Sequence, residues 1–338
     1  MLLKILVILA VVLTIIVLLL KINSNSNSNF NFNPNSKIRI LMIGDSYTFK
    51  NNMPSIFQSI LGHKYQVDSH VIPKLNLTVA YNDQNVKNMI INGKYNFVIL
   101  QEHSARIIMA TKSFKEAVQN FITLIKNNGS HPVLFEPWAY TDKHPDYKPN
   151  PVDWQPPVEC PLSNTKSDIL VKAPFCYRLK CRDKTKGVNY VSKVTAAICS
   201  TDYNTTSKKV QAFTKKECDD LSGVLPIIYI GEAIWGYKDT SILFNLCDEK
   251  HPTLAGSYLI ALLLYKYFTG KNVTLLSSKV TGCIDCPITS TLPNDWKKCF
   301  DCCYKPSLNS GCGKCNNPDS VIDPNIVKNL QEYVSTLP

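Results

Sequence analysis

Aliphatic residues come in short runs along this chain, separated by stretches whose apolar positions follow a helical spacing. Ile38 to Ile43 is aliphatic apart from Arg39 and reads as a strand buried on both faces. It leads into Gly44-Asp45-Ser46. Asn52 as a cap, with Pro54 in the first turn, then predicts a helix to about Leu61. Tyr65 to Ile72 reads as a second strand, Asn82 to Asn92 as a helix and Tyr95 to Gln101 as a third strand. Ser113 to Lys126 has helical spacing, with Phe114, Ala117, Val118, Phe121, Ile122 and Ile125 on one side. Asn127-Asn128-Gly129 ends it. Pro132 to Pro137 is a fourth strand and Leu225 to Ile230 a fifth. A helix follows His251-Pro252, burying Leu254, Tyr258, Leu259, Ala261, Leu262 and Tyr265. Strands alternate with helices over short links, so the expected fold class is α/β with a mostly parallel sheet.

The alternation breaks in three places. From Thr141 to Ser222 the chain is rich in Pro, Lys and Cys. Pro149, Pro151, Pro156, Pro157, Pro161 and Pro174 preclude a long regular element there. Cys160, Cys176, Cys181, Cys199 and Cys218 make this block an insertion stapled by disulfides on top of the sheet. The tail, 276–338, carries Cys283-x2-Cys286, Cys299-x2-Cys302-Cys303 and Cys312-x2-Cys315. In a cytosolic chain such pairs would suggest zinc; in the secretory pathway they read as a compact disulfide module, and no metal is expected. At the other end, Ile5 to Leu20 is apolar except for Thr14 and is flanked by Lys4 and Lys21. The core is long for a signal peptide and no Ala-x-Ala follows. Residues 1–22 therefore read as an uncleaved signal anchor, with a cleaved signal peptide as the alternative, and 23–36 as an Asn/Ser-rich tether.

Either leader sends the remainder into the secretory pathway, as a single-pass membrane protein with a lumenal or extracellular domain, or as a secreted one. The thirteen cysteines agree with an oxidising compartment. So do four N-x-S/T acceptors at Asn76, Asn128, Asn204 and Asn272. The net charge of +11 raises nucleic acid as a partner. Its distribution argues against a nucleic-acid site, because 12 Lys/Arg against 6 Asp/Glu lie between Cys160 and Ser222. That is a local basic insertion, able at most to touch an anionic glycan or membrane surface.

The candidate chemistry sits at the ends of the first and last blocks. A strand, a tight turn and a helix start place Ser46 at the carboxyl edge of the sheet, where open α/β folds bind ligands. Asp248-Glu249-Lys250-His251 lies in a turn entering a helix. Asp248 there can accept from one imidazole nitrogen and leave the other to take the proton of Ser46, the division of labour of a serine-hydrolase triad. His103, after the third strand, is an alternative base or a substrate contact. Glu136, Trp138 and Tyr140 follow the fourth strand and face the same region; Trp138 and Tyr140 could stack on a sugar or cover an acyl group, or pack under the insertion, as could Trp235.

Gly44-Asp45-Ser46 and Asp248-x-x-His251-Pro252, with the strands between them, resemble the SGNH/GDSL hydrolase family. The resemblance covers about 37–137 and 223–274, and is closest in the block 248–261. It implies a flavodoxin-like three-layer α/β/α fold with a five-stranded parallel sheet in a hydrolase-like domain at 37–275, into which 141–222 is inserted. It implies hydrolysis of a carboxylic ester without a cofactor, a small acyl group on a carbohydrate first and a lipid ester second. Carried over, Ser46 is the nucleophile, His251 the base and Asp248 its orienter, and the Ser46 N–H contributes to the oxyanion hole. Two family features are altered. The second block, 71–76, has no Gly, so Lys74 or Leu75 would have to supply the backbone donor. The third block has Gln101-Glu102-His103-Ser104 where the family has Gly-x-Asn-Asp, so Gln101 is the expected amide donor. Losing one such donor costs about 100–1000-fold in turnover. The alternative reading is a weak or inactive protein of this fold that binds an anionic glycan or a membrane surface.

Overall fold

The computed structural model describes residues 36–72, 75–144, 147, 155, 158–160, 173, 175–186, 198–199, 206–244, 249–277, 281–282 and 320–338. Its centre is a five-stranded sheet in the order β2-β1-β3-β4-β5, with every neighbouring pair parallel. The strands are β1 Ile38–Gly44, β2 Tyr65–Val71, β3 Phe97–Gln101, β4 His131–Phe135 and β5 Ile227–Ile228.

The register divides the core by parity, as the two-residue period of a strand requires. Leu41, Ile43, Val98, Leu100 and Leu134 share one core with Leu77, Ala80, Val86, Ile90 and the buried stripe of the helix Thr111–Asn127. Ile40, Met42, Phe97, Ile99 and Val133 point to the other face. There Phe97 meets Phe268 edge to face, with centroids 5.0 Å apart, and Phe57 packs on the same ring at 6.0 Å. Phe57 belongs to the helix Met53–Leu61 and Phe268 to Leu254–Thr269. Helices thus cover both faces of the sheet, the three-layer α/β/α arrangement expected from the sequence. β1 and β3 are flanked by strands on both sides, so their carboxyl ends sit mid-sheet under the loops that follow.

Several elements differ from the sequence reading. Asn52 stands at the N-terminal cap of Met53–Leu61 with φ of 51° and makes no side-chain cap bond. A separate short helix, Ser46–Phe49, precedes it. The helix expected over Asn82–Asn92 is Gln84–Asn92, capped by Asp83, which accepts from Asn85 N; a further helix, Leu77–Asn82, precedes it and was not expected. β5 is only two residues long, and Ile230–Gly236 is helical. Within the insertion the prolines end at Pro174, and helices Phe175–Lys186 and Thr206–Asp219 form beyond them. A long regular element was not expected there.

Disulfides join Cys160 to Cys181 and Cys176 to Cys199, and Cys218 is a buried free thiol. Bonds of this kind form and persist in oxidising compartments. The tail contributes a short antiparallel pair, Thr281–Gly282 with Ser320–Val321, and a final helix, Pro324–Thr336. The cysteines of the tail lie outside the described residues, as does the leader. Among the described residues, no helix is long and apolar enough to cross a membrane.

Candidate active site

The turn after β1 is built by Asp45. Its backbone is extended, its side chain accepts the Tyr47 N–H at 3.0 Å, and its carbonyl accepts from Thr48 N and Phe49 N. An Asp at a helix N-cap satisfies donors that the first turn leaves without partners. Ser46 is therefore the first helical residue. Its N–H has no acceptor among the described residues, and its side chain is half-buried.

Gln101 holds this turn from the neighbouring strand. Its Oε1 accepts the Asp45 N–H and the Thr48 hydroxyl, both at 2.9 Å, and its Nε2 donates to Glu102 O at 2.7 Å. The parallel register pairs Ile43 with Leu100, which puts Gly44 beside Gln101. A Cβ on Gly44 would lie 2.5 Å from Gln101 Oε1 and 2.6 Å from Thr48 Oγ1. Glycine at this position leaves room for the Gln101 amide to cross the strand end.

His251 arrives from the far side of the sequence. Its Nε2 lies 2.7 Å from Ser46 Oγ, and the imidazole is 2% exposed. The Tyr47 ring meets it edge-on at 5.9 Å. The loop carrying His251 is tied to the segment after β4. Trp138 Nε1 donates to Lys250 O at 2.8 Å, Thr141 N to Glu249 O at 3.0 Å and Thr141 Oγ1 to Glu249 Oε2 at 2.9 Å. The Lys250 ammonium sits over the Tyr140 ring at 5.0 Å. Glu249 has φ of 54°, a left-handed conformation that costs a non-glycine residue about 1 kcal/mol. The two Thr141 bonds hold it there. Asp248 lies outside the described residues.

Other residues singled out from the sequence are placed as follows. Trp138 is 1% exposed and stacks on Tyr47, with centroids 3.8 Å apart and planes 1° from parallel. Its face is covered by protein, so it holds the loop and is no open platform for a sugar. Leu75 is buried, and its N–H donates to Ile72 O within a turn, so in this conformation it is not an oxyanion donor. Gln101 Nε2 donates to Glu102 O, and the Gln101 side chain also bonds the Asp45 carboxyl. His103 is half-buried, with its backbone N–H on Glu102 Oε1. Tyr140 is buried and accepts from the Ser104 hydroxyl. Of the sequons, Asn272 is exposed, Asn76 and Asn128 are half-buried, and Asn204 lies outside the described residues. Asn51, which the sequence reading passed over, is buried, and its Nδ2 donates to Pro252 O at 3.0 Å and Ser257 Oγ at 2.9 Å.

Three adjacent strands, β1, β3 and β4, each end in a buried carboxyl that accepts backbone N–H groups. Burial pushes Asp45 up to about 6, against the backbone and Gln101 bonds that lower it. Burial likewise pushes Glu102, which accepts from His103 N and Leu77 N, up to about 7. It pushes Glu136, bonded by Gln211 Nε2 and Glu232 N, up to about 8. In the unfolded chain such carboxyls ionise near 4. Between about pH 4.5 and 8 the folded protein therefore holds more protons than the unfolded one, and its stability falls as pH rises. Urea midpoints measured at pH 5.5 and 8 are expected to be higher at 5.5. In Glu136→Gln, neutral at every pH, the difference is expected to shrink.

Neither a family model nor a curated protein matches the chain. Solved structures similar to it include a protein from Slackia heliotrinireducens classed with the SGNH hydrolases, 20% identical over 69% of this chain and 100% of that one, with a TM-score of 0.46. A lipase/acylhydrolase from Enterococcus faecalis is 14% identical over 71% of this chain and 97% of that one, at 0.38. A catalytic mutant of an acetylxylan esterase from Geobacillus stearothermophilus is 11% identical over 69% of this chain and 95% of that one, at 0.37. At these identities and scores the likenesses say nothing of this chain's activity.

Proposed function

We propose that this protein is a serine-dependent hydrolase of carboxylic esters. The observation that carries the reading is the 2.7 Å contact between His251 Nε2 and Ser46 Oγ, made across 205 positions of sequence by two loops at the carboxyl edge of the sheet. In this reading His251 takes the Ser46 proton as the hydroxyl attacks the acyl carbon, then returns it to the leaving alcohol. Water repeats the sequence and releases the acid. Asp248 orients the imidazole from the turn before it. The Ser46 N–H and the Gln101 amide are the proposed donors to the developing oxyanion. No step needs a cofactor.

The substrate is proposed as a small acyl ester, an acetylated carbohydrate first and a lipid ester second. Residues 37–275 would carry the reaction, with 141–222 inserted. The anchor 1–22 and linker 23–36 would hold that domain at a membrane facing a secretory or extracellular space, and 276–338 would add the Cys-rich segment. Asn76, Asn128, Asn204 and Asn272 are the proposed glycan acceptors. A catalytically weak protein of the same fold is favoured by one observation, the engagement of the Leu75 N–H with Ile72 O.

Initial rates on chromogenic acetate, butyrate and octanoate esters, and acetate release from acetylated xylo-oligosaccharides, separate these readings. Turnover that is highest for acetate and unchanged by chelators is expected. No turnover of any ester by well-folded protein would leave the binding reading in its place.

A further inference from the structure

The Ser46–His251 pair is held by protein on both sides of the imidazole, and we propose that Trp138 and Asn51 are positioning residues that set its geometry. This rests on the ester-hydrolase reading above. Each residue binds a carbonyl next to His251 in sequence. Trp138 Nε1 donates to Lys250 O on one side and Asn51 Nδ2 to Pro252 O on the other. Both also hold the nucleophile's segment. Trp138 lies flat against Tyr47, the residue after Ser46. Asn51 follows the short helix that begins with Ser46, and the hydroxyl of its partner Ser257 donates to Lys50 O. Each side chain is thus a strut between two loops about 200 positions apart.

The local backbone fits this role. Asn51 has φ of 55° and Asn52 of 51°. Asn tolerates the left-handed region better than most residues, and in that conformation its amide turns toward the Pro252 carbonyl. Across the site, Glu249 is also left-handed and is held by Thr141. The base loop is therefore shaped by its bonds to other segments. Such a loop relaxes when a bond is removed, and a shift of about 1 Å in a reacting pair costs about 100-fold in rate.

The test uses the full chain and two variants. Trp138→Phe keeps an aromatic ring against Tyr47 and removes the N–H to Lys250 O. Asn51→Gly keeps the left-handed backbone and removes the amide. Tyr267→Phe is the control, because Tyr267 is exposed near the C-terminal end of the helix Leu254–Thr269. Labelling rates with a fluorophosphonate are expected to fall about 10- to 100-fold in Trp138→Phe and Asn51→Gly, with KM for an acetate ester within about twofold and melting temperatures lowered by only a few degrees. Tyr267→Phe is expected to match wild type.

A second readout needs no activity. The His251 ring protons, assigned among six histidines by loss in His251→Ala, lie at the edge of Tyr47. Their NMR shifts are expected to move in the two strut variants and not in the control. Wild-type rates and unmoved His251 signals in both variants would overturn the proposal. If wild type itself does not label, the hydrolase reading fails, and the His251 shifts alone decide whether the struts set the position of the ring.

Discussion

Ser46→Ala is expected to lower ester turnover by about a millionfold, the scale on which loss of an activated serine acts, while the protein stays folded. The reason lies in what Ser46 touches. Its hydroxyl meets His251 Nε2 at 2.7 Å, and the turn around it is held by other groups: the Asp45 cap, the Gln101 amide and the stacked Tyr47–Trp138 pair. Removing the hydroxyl deletes one hydrogen bond, worth about 1 kcal/mol net. The melting temperature should move by only a few degrees, and KM-like binding of a substrate analogue should persist. Turnover above one-tenth of wild type in a folded Ser46→Ala protein would show that another group attacks the ester.

His251→Ala is the second large effect. The imidazole is buried, it abuts Ser46, and the loop around it is clamped by Trp138, Thr141 and Asn51. Without it the serine hydroxyl keeps its proton and its poor nucleophilicity. Turnover is expected to fall about 10⁴- to 10⁶-fold. Because base and nucleophile act as one unit, the double variant should be no slower than Ser46→Ala alone. Losses that multiply would mean that the two residues work independently, and would put the base at another position, with His103 the next to test. His251→Ala also leaves a void beside Tyr47, so His251→Gln is the companion variant that keeps a polar group of similar length in place. The two should lose activity alike.

Much of this fold was legible in the sequence because its signals are local. The aliphatic runs of β1 and β3 are buried on both faces and were read within two residues. The stripe of Phe114, Phe121 and Ile125 marked its helix to within two residues at either end. The failures also have local causes. β5 pairs over only two residues, so little in it distinguishes a strand from the helix that begins at Ile230. The last helix did carry a signal, Asp323-Pro324 followed by Val327, Leu330 and Val334, but the cysteine motifs before it drew the reading elsewhere.

For the site, residue types were legible and their orientations were not. Ser46 and His251 were named from two short motifs, and the fold brings them into contact. What a side chain faces is set by residues far away in sequence. Trp138 stood out as an aromatic residue after β4, yet only the packed structure turns it onto Tyr47 and Lys250 O and away from a substrate. The Gln101 side chain serves as a brace for the Asp45 turn because Gly44 leaves it space. Asn51 gave no motif at all, since its partners, Pro252 O and Ser257, are about 200 positions away.

The most direct test of an activated Ser46 is the site of a covalent adduct. The full chain is treated with a fluorophosphonate, digested and mapped by mass spectrometry, beside Ser46→Ala. One adduct on the peptide containing Ser46, absent from the variant, is the predicted result. An adduct on another residue, or none on folded wild-type protein, would contradict a Ser46–His251 nucleophile.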